Sequence, residues 1–289
     1  MDTVSLLIQI LNAVQYGLVL FLVASGLTLI FGIMRIINLA HGSFYMAGAY
    51  LAFALSANLT ETLLGTLVLG SMIAFVIGFV LEWVFFSFLY EREHLDQVLL
   101  TYGLILVFEE LRSILVDNDV HGVAIPESLA GSIPLTDTLS YPIYRIAISV
   151  SCIAVAAALY YLLRHTRLGM MIRAGSHDRI MVQALGINIK LLYRVVFALG
   201  FTLAAFSGMI SAPVTSVSPG MGNQVLILSF VVVVIGGIGS VGGAMVAAMV
   251  IAFADVFGKL LLPDLAGMFV YLVMAAVLLW RPEGIFRKA

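Results

Sequence analysis

Glu82, Glu109, Glu110, Arg112 and Asp255 stand inside or at the edges of long apolar runs. An ionisable side chain is costly there, so each one marks a wet pathway, a proton relay or an ion pair. Glu82 lies about eight residues from the inner end of its run, roughly 12 Å deep at 1.5 Å per residue, and is a candidate to line water or touch another chain. Glu109 and Arg112 are spaced i,i+3 and can pair and snorkel near the outer end of theirs; Asp255 admits either reading. His41 could titrate near neutral pH. Alternatively Asn38 caps the helix that follows it and His41 bonds neighbouring backbone at the membrane surface. The single cysteine, Cys152, excludes an internal disulfide or a multi-cysteine metal site. No His, Asp or Glu grouping has metal-ligand spacing, and neither a Gly-x-Ser-x-Gly elbow nor a Gly-x-x-x-x-Gly-Lys-Ser/Thr phosphate loop occurs. The chain is therefore expected to hold no catalytic residue, metal or nucleotide of its own.

The elements that must position these residues follow from composition. Of 289 residues, 62% are hydrophobic and 10% charged, with a mean hydropathy of +1.13. Soluble domains run at about 45–50% and about 25%, so a water-soluble globule is excluded. A net charge of -2 without a basic run argues against nucleic acid. Apolar stretches fall at 4–33, 39–58, 63–90, 98–116, 143–163, 195–217, 224–238, 240–258 and 266–280. They are too continuous for barrel strands of about ten alternating residues. The fold expected is all-α: one polytopic transmembrane domain over 1–289, with eight or nine membrane segments, some broken or re-entrant. No Lys or Arg precedes Arg35, so the first stretch is expected to remain as a span.

Loop charge orients the spans, because Lys and Arg in short connections stay on the cytoplasmic side. Arg164, Arg167, Arg173, Arg179, Lys190 and Arg194 crowd 164–194, and Arg281, Arg287 and Lys288 mark the C-terminal tail. Both are expected in the cytoplasm. The connection 117–142 carries Asp117, Asp119, Glu127 and Asp137 without Lys or Arg, and belongs outside. Alternation then makes 224–258 two passes, broken at Gly236, Gly237, Gly239, Gly242 and Gly243, and places the N-terminus outside.

The stretch 224–238 is short for a full crossing and reads as a half-helix or re-entrant element, while 4–33 is long, contains Ser25, Gly26 and Gly32, and reads either as one tilted span or as a span with a break. The glycine breaks admit two readings, a passage for solute or close helix packing. Within 164–194, Ser176 as cap, Asp178 in the first turn and Gly186 after the last predict a helix over 177–185. One face groups Ile180, Met181, Ala184 and Leu185. Too short to span or to stand alone, this helix must lie on lipid or dock on another protein.

Gly26-Leu27-Thr28 through Gly32, Ile37-Asn38-Leu39-Ala40-His41-Gly42 and Tyr45-Met46 resemble the N-terminal signature of the LivH-type permeases of branched-chain amino acid ABC importers. Thr166-Arg167-Leu168-Gly169, Arg173-Ala174, Asp178, Ala184 and Gly186-Ile187-Asn188 are similar to that family's cytoplasmic loop. Gly236-Gly237-Ile238-Gly239-Ser240 with Gly243-Ala244 resembles its glycine-rich segment, and Arg281-Pro282-Glu283-Gly284-Ile285 its C-terminal end.

The resemblance implies a prokaryotic plasma-membrane permease subunit for branched-chain or other hydrophobic amino acids. It implies a second related permease (a heterodimer, or else a homodimer), two cytoplasmic ATPase subunits that bind ATP and Mg, and an extracytoplasmic solute-binding protein. Arg173, Ala174, Asp178, Ala184, Gly186, Ile187 and Asn188 then shape the coupling element. Asn38, His41, Gly42, Glu82 and the five glycines of the break are candidates for the pathway or gate. The alternative is a self-sufficient secondary transporter or channel for a small solute such as urea or an amide, which should show coupling carboxylates or inverted repeats.

Overall fold

The computed structural model describes residues 3–58, 62–90, 92–136, 139–261, 263–281 and 284–286. Asp137, Pro282, Glu283, Arg287 and Lys288, singled out above, lie outside the described residues. Each of the nine apolar stretches is a helix: α1 Thr3–Met34, α2 His41–Asn58, α3 Leu63–Val84, α4 His94–Val116 and α5 Ile143–His165, then, after the α6 and α7 of the basic segment, α8 Ile189–Thr215, α9 Met221–Gly236, α10 Val241–Leu261 and α11 Ala266–Trp280. Among the described residues, five helical segments are long and apolar enough to cross a membrane, Val4–Met34, Leu63–Phe88, Ile143–His165, Ile189–Thr215 and Val241–Leu261. In the most apolar stretch of each, α1 is 89% and α8 83% buried, against 17% for α5. The two longest helices therefore form the core, with α2 packed on α8 and α9 and flanked by α3. Outside it, α3, α4, α5 and α11 turn apolar side chains such as Leu64, Met72, Leu99, Val150 and Leu279 outward. That surface suits hydrocarbon, where apolar exposure carries no penalty.

The chain alternates between two ends of the bundle. At one end the 117–142 connection pairs His121 with Val217 through two 2.8 Å backbone hydrogen bonds, and Phe53 stacks on the His121 ring. There the N–H of Asp119 holds the Asp117 carboxyl below the usual carboxylate range. A two-stranded hairpin, β1 Ser132–Pro134 and β2 Ser140–Pro142, leads into α5. Arg145 at the start of α5 donates to Asn12 of α1 at 2.9 Å, which puts the N-terminal half of α1 at this end. The opposite, basic end carries the 164–194 segment, and the described part of the C-terminal tail joins it.

Four expectations are refined or corrected. First, of the two readings of the long first stretch, the single span is the one found: α1 runs unbroken through Ser25, Gly26 and Gly32. Second, the helix expected over 177–185 divides: Ser176 is inside α6, Arg167–His177, and Asp178 opens a shorter α7, Arg179–Ala184. Asp178 wins as cap because its carboxylate accepts two N–H groups, from Ile180 at 2.9 Å and Met181 at 3.0 Å. Third, α3 ends at Val84 while its apolar segment runs on to Phe88, so Glu82 sits about six residues from the end of that segment, close to the expected depth. Fourth, His41 is not at the surface. After Met34 the chain folds back along α1, and His41 Nε2 donates to the Val23 carbonyl at 2.9 Å, about 16 Å along the α1 axis from Met34.

Candidate functional site

The residues singled out in 164–194 build one rigid projection. Thr166 accepts from the Gly169 N–H and starts α6, while the Arg173 guanidinium reaches back to the Leu163 carbonyl and pins α6 onto α5. The Ala174 carbonyl accepts from Asp178 N–H at the corner between α6 and α7. At the far end of α7, Gly186 (φ +82°) donates to Gln183 at 2.9 Å and Ile187 to Val182 at 3.3 Å. This is the reversed-turn ending that a left-handed residue permits. Asn188 then caps α8 through the Leu191 N–H at 3.1 Å. The pattern holds six residues in a helix that could not persist unaided. Val182 is turned inward (3% exposed), while Ile180 (72%), Met181 (60%) and Leu185 (73%) project outward. Ala184 is exposed on the same helix.

The second group divides in space. Asn38 is fully buried and its side-chain oxygen accepts from the Ala40 N–H at 3.0 Å, closing the turn that leads into α2. His41, equally buried, closes the same return of the chain. Its neighbour Gly42 lies where the N-termini of α2 and α9 cross: a Cβ on Gly222 would fall 2.6 Å from the Gly42 carbonyl, and one on Gly42 would overlap the Gly222 carbonyl. Gly222 carried no signal in the sequence beyond its position before an apolar run.

The glycine break forms the α9–α10 turn at the basic end. Gly237 (φ +92°) and Gly239 (φ +80°) adopt its left-handed corners, Ser240 accepts from Gly243 N–H at 3.0 Å to cap α10, and Gly236 packs face to face on Gly243. The tail braces this turn, with Ile285 donating to the Ile235 carbonyl at 2.7 Å and Gly284 against Gly237. Gly239 and Gly242 share a cavity of about 590 Å³ with Arg173, so a residue of the projecting segment and two of the break meet there.

Glu82 belongs to neither group. Its fully buried carboxylate accepts from Arg194 Nε at 3.2 Å, joining α3 to α8, and the guanidinium lies over the Trp83 ring at 5.9 Å. Glu109 and Arg112 pair at 3.4 Å as their spacing predicted, and Asp255 meets Lys259 at 2.6 Å, a partner the sequence reading missed.

A family model for the permease component of the branched-chain amino acid transport system matches residues 9–278. The chain belongs to that family. It is 29% identical to BraD of Pseudomonas aeruginosa, a high-affinity branched-chain amino acid transport permease, over 97% of this chain and 95% of that one. To LivH of Salmonella typhimurium the identity is 27%, over the same shares. A probable LivH of Methanocaldococcus jannaschii is 24% identical over 95% and 90%. Among solved structures, PsaBC from Streptococcus pneumoniae in complex with Fab shares the fold, with a TM-score of 0.50 and 13% identity over 93% of this chain and 89% of that one. As a member of this family the chain is a multi-pass transport permease, which fits its apolar outer surface and the absence of sequence motifs for catalysis.

Proposed function

We propose that this permease works as a gate moved from its basic end, which faces the cytoplasm, by ATPase subunits that dock on α7. The observation that carries this reading is the outward trio Ile180, Met181 and Leu185 on a helix capped at both ends. Such an apolar face on a short, held helix is the form that fits a groove on another protein. Displacement of α7 passes through the Asn188 cap into α8, the buried helix against which α1, α2 and α3 pack, and so reaches the bundle as a rigid-body movement.

ATP and Mg belong to the docked ATPases in this scheme. The chain supplies only a weakly binding passage, because an extracytoplasmic binding protein presents the solute. The cargo is a branched-chain or similarly hydrophobic amino acid, as the names of the relatives suggest. A second, related permease completes the pathway. α4 exposes Glu110 beside Leu106, Val107 and Leu111, and a carboxylate on that face calls for protein or water rather than lipid.

The test is co-purification from membranes that express the whole importer. Ile180→Asp with Met181→Asp should release the ATPases and abolish leucine uptake while the permease stays folded. Retention of the ATPases at wild-type level would refute docking through α7.

A further inference from the structure

The cavity of about 590 Å³ at the basic end has a shape and a charge that coupling does not require. Its floor is α1 from Phe21 to Ile33, a length of about 18 Å at 1.5 Å per residue, close to one leaflet of a hydrocarbon core about 30 Å thick. α5 and α10 both pack on α1 and form its two walls, through Ala156 and Met245. Apolar residues line the deep part, and Arg164 and Arg173 stand at the mouth with no acidic residue in the lining. Neither arginine has an acidic partner among the described residues. On the floor the Thr28 hydroxyl is buried, and it has no hydrogen-bond partner among the described residues.

We propose that this groove is a binding site for one anionic phospholipid of the leaflet at the basic end. The phosphate sits between the Arg164 and Arg173 guanidinium groups, which favour phosphate oxygens. The Thr28 hydroxyl donates to an ester oxygen, and an acyl chain lies along Phe21, Leu29 and Met245. Basic pockets between membrane helices recognise lipid headgroups by this chemistry. A free amino acid carries a carboxylate too, but it is far shorter than the apolar floor.

Native mass spectrometry of the purified importer, incubated with phosphatidylglycerol or phosphatidylethanolamine, tests the site. Retention of phosphatidylglycerol should exceed that of phosphatidylethanolamine by about thirtyfold, the preference two arginines confer. Arg164→Gln with Arg173→Gln should erase the preference. Gly242→Phe keeps both arginines and enters open space, since a Cβ there meets nothing within 4 Å; it should expel the lipid by filling the groove. Equal retention of the two lipids by the wild type, or undiminished retention by Gly242→Phe, would overturn the proposal. Displacement of the lipid by inorganic phosphate would reduce the site to an anion site, and displacement by leucine would make it part of the cargo route; either result also overturns it.

Discussion

Gly42 and Gly222 meet backbone to backbone where α2 and α9 begin, each occupying the space a side chain on the other would need. The contact lets two helix N-termini cross beside the buried Asn38–His41 return, deep in the bundle. Gly222→Ala forces these backbones apart and should cost about 1–3 kcal/mol, the usual cost of overpacking, seen as a lowered Tm of the detergent-purified chain. Gly103→Ala, where a Cβ meets nothing within 4 Å, should instead hold or slightly raise the Tm, because alanine is the better helix former.

The two ends of α7 can be weakened without touching its outward face. Gly186→Ala places a Cβ on a residue at φ +82°, and Asp178→Ala removes the Oδ1 that accepts both N-cap hydrogen bonds. Each should destabilise the short helix locally by about 1 kcal/mol. Hydrogen exchange over 179–187 should quicken and ATPase co-purification should fall, with the Tm of the bundle unchanged.

Glu82 and Arg194 should behave as a buried pair. Arg194→Met strands the carboxylate between α3 and α8 and should cost about 3–5 kcal/mol. Adding Glu82→Leu removes the stranded charge, so the double variant should regain most of that stability. A double-mutant cycle in chemical unfolding measures the coupling. If the two losses simply add, Glu82 is free to serve a pathway instead.

Nine helices were legible because each is a continuous apolar run, and the basic and acidic connections named which loops share an end. Finer features depended on what a linear pattern does not carry. Ser176 and Asp178 are both good caps, and the choice between them was made by α6, whose polar, basic sequence reads as loop. Arg194 was visible as a basic loop residue, but its partner Glu82 lies 112 positions away in the chain. The depth of His41 follows from a return of the chain along α1, which hydropathy cannot distinguish from a turn at the surface. Arg173 and Gly242 were assigned to separate roles, and only the folded chain shows them on one cavity.

Reconstitution into proteoliposomes tests the central claim most directly. Purified chain should build no leucine gradient across the vesicle unless its permease partner, the ATPases, the binding protein and Mg-ATP are all supplied. Accumulation of leucine against a gradient by the purified chain with no ATPase present would contradict the account.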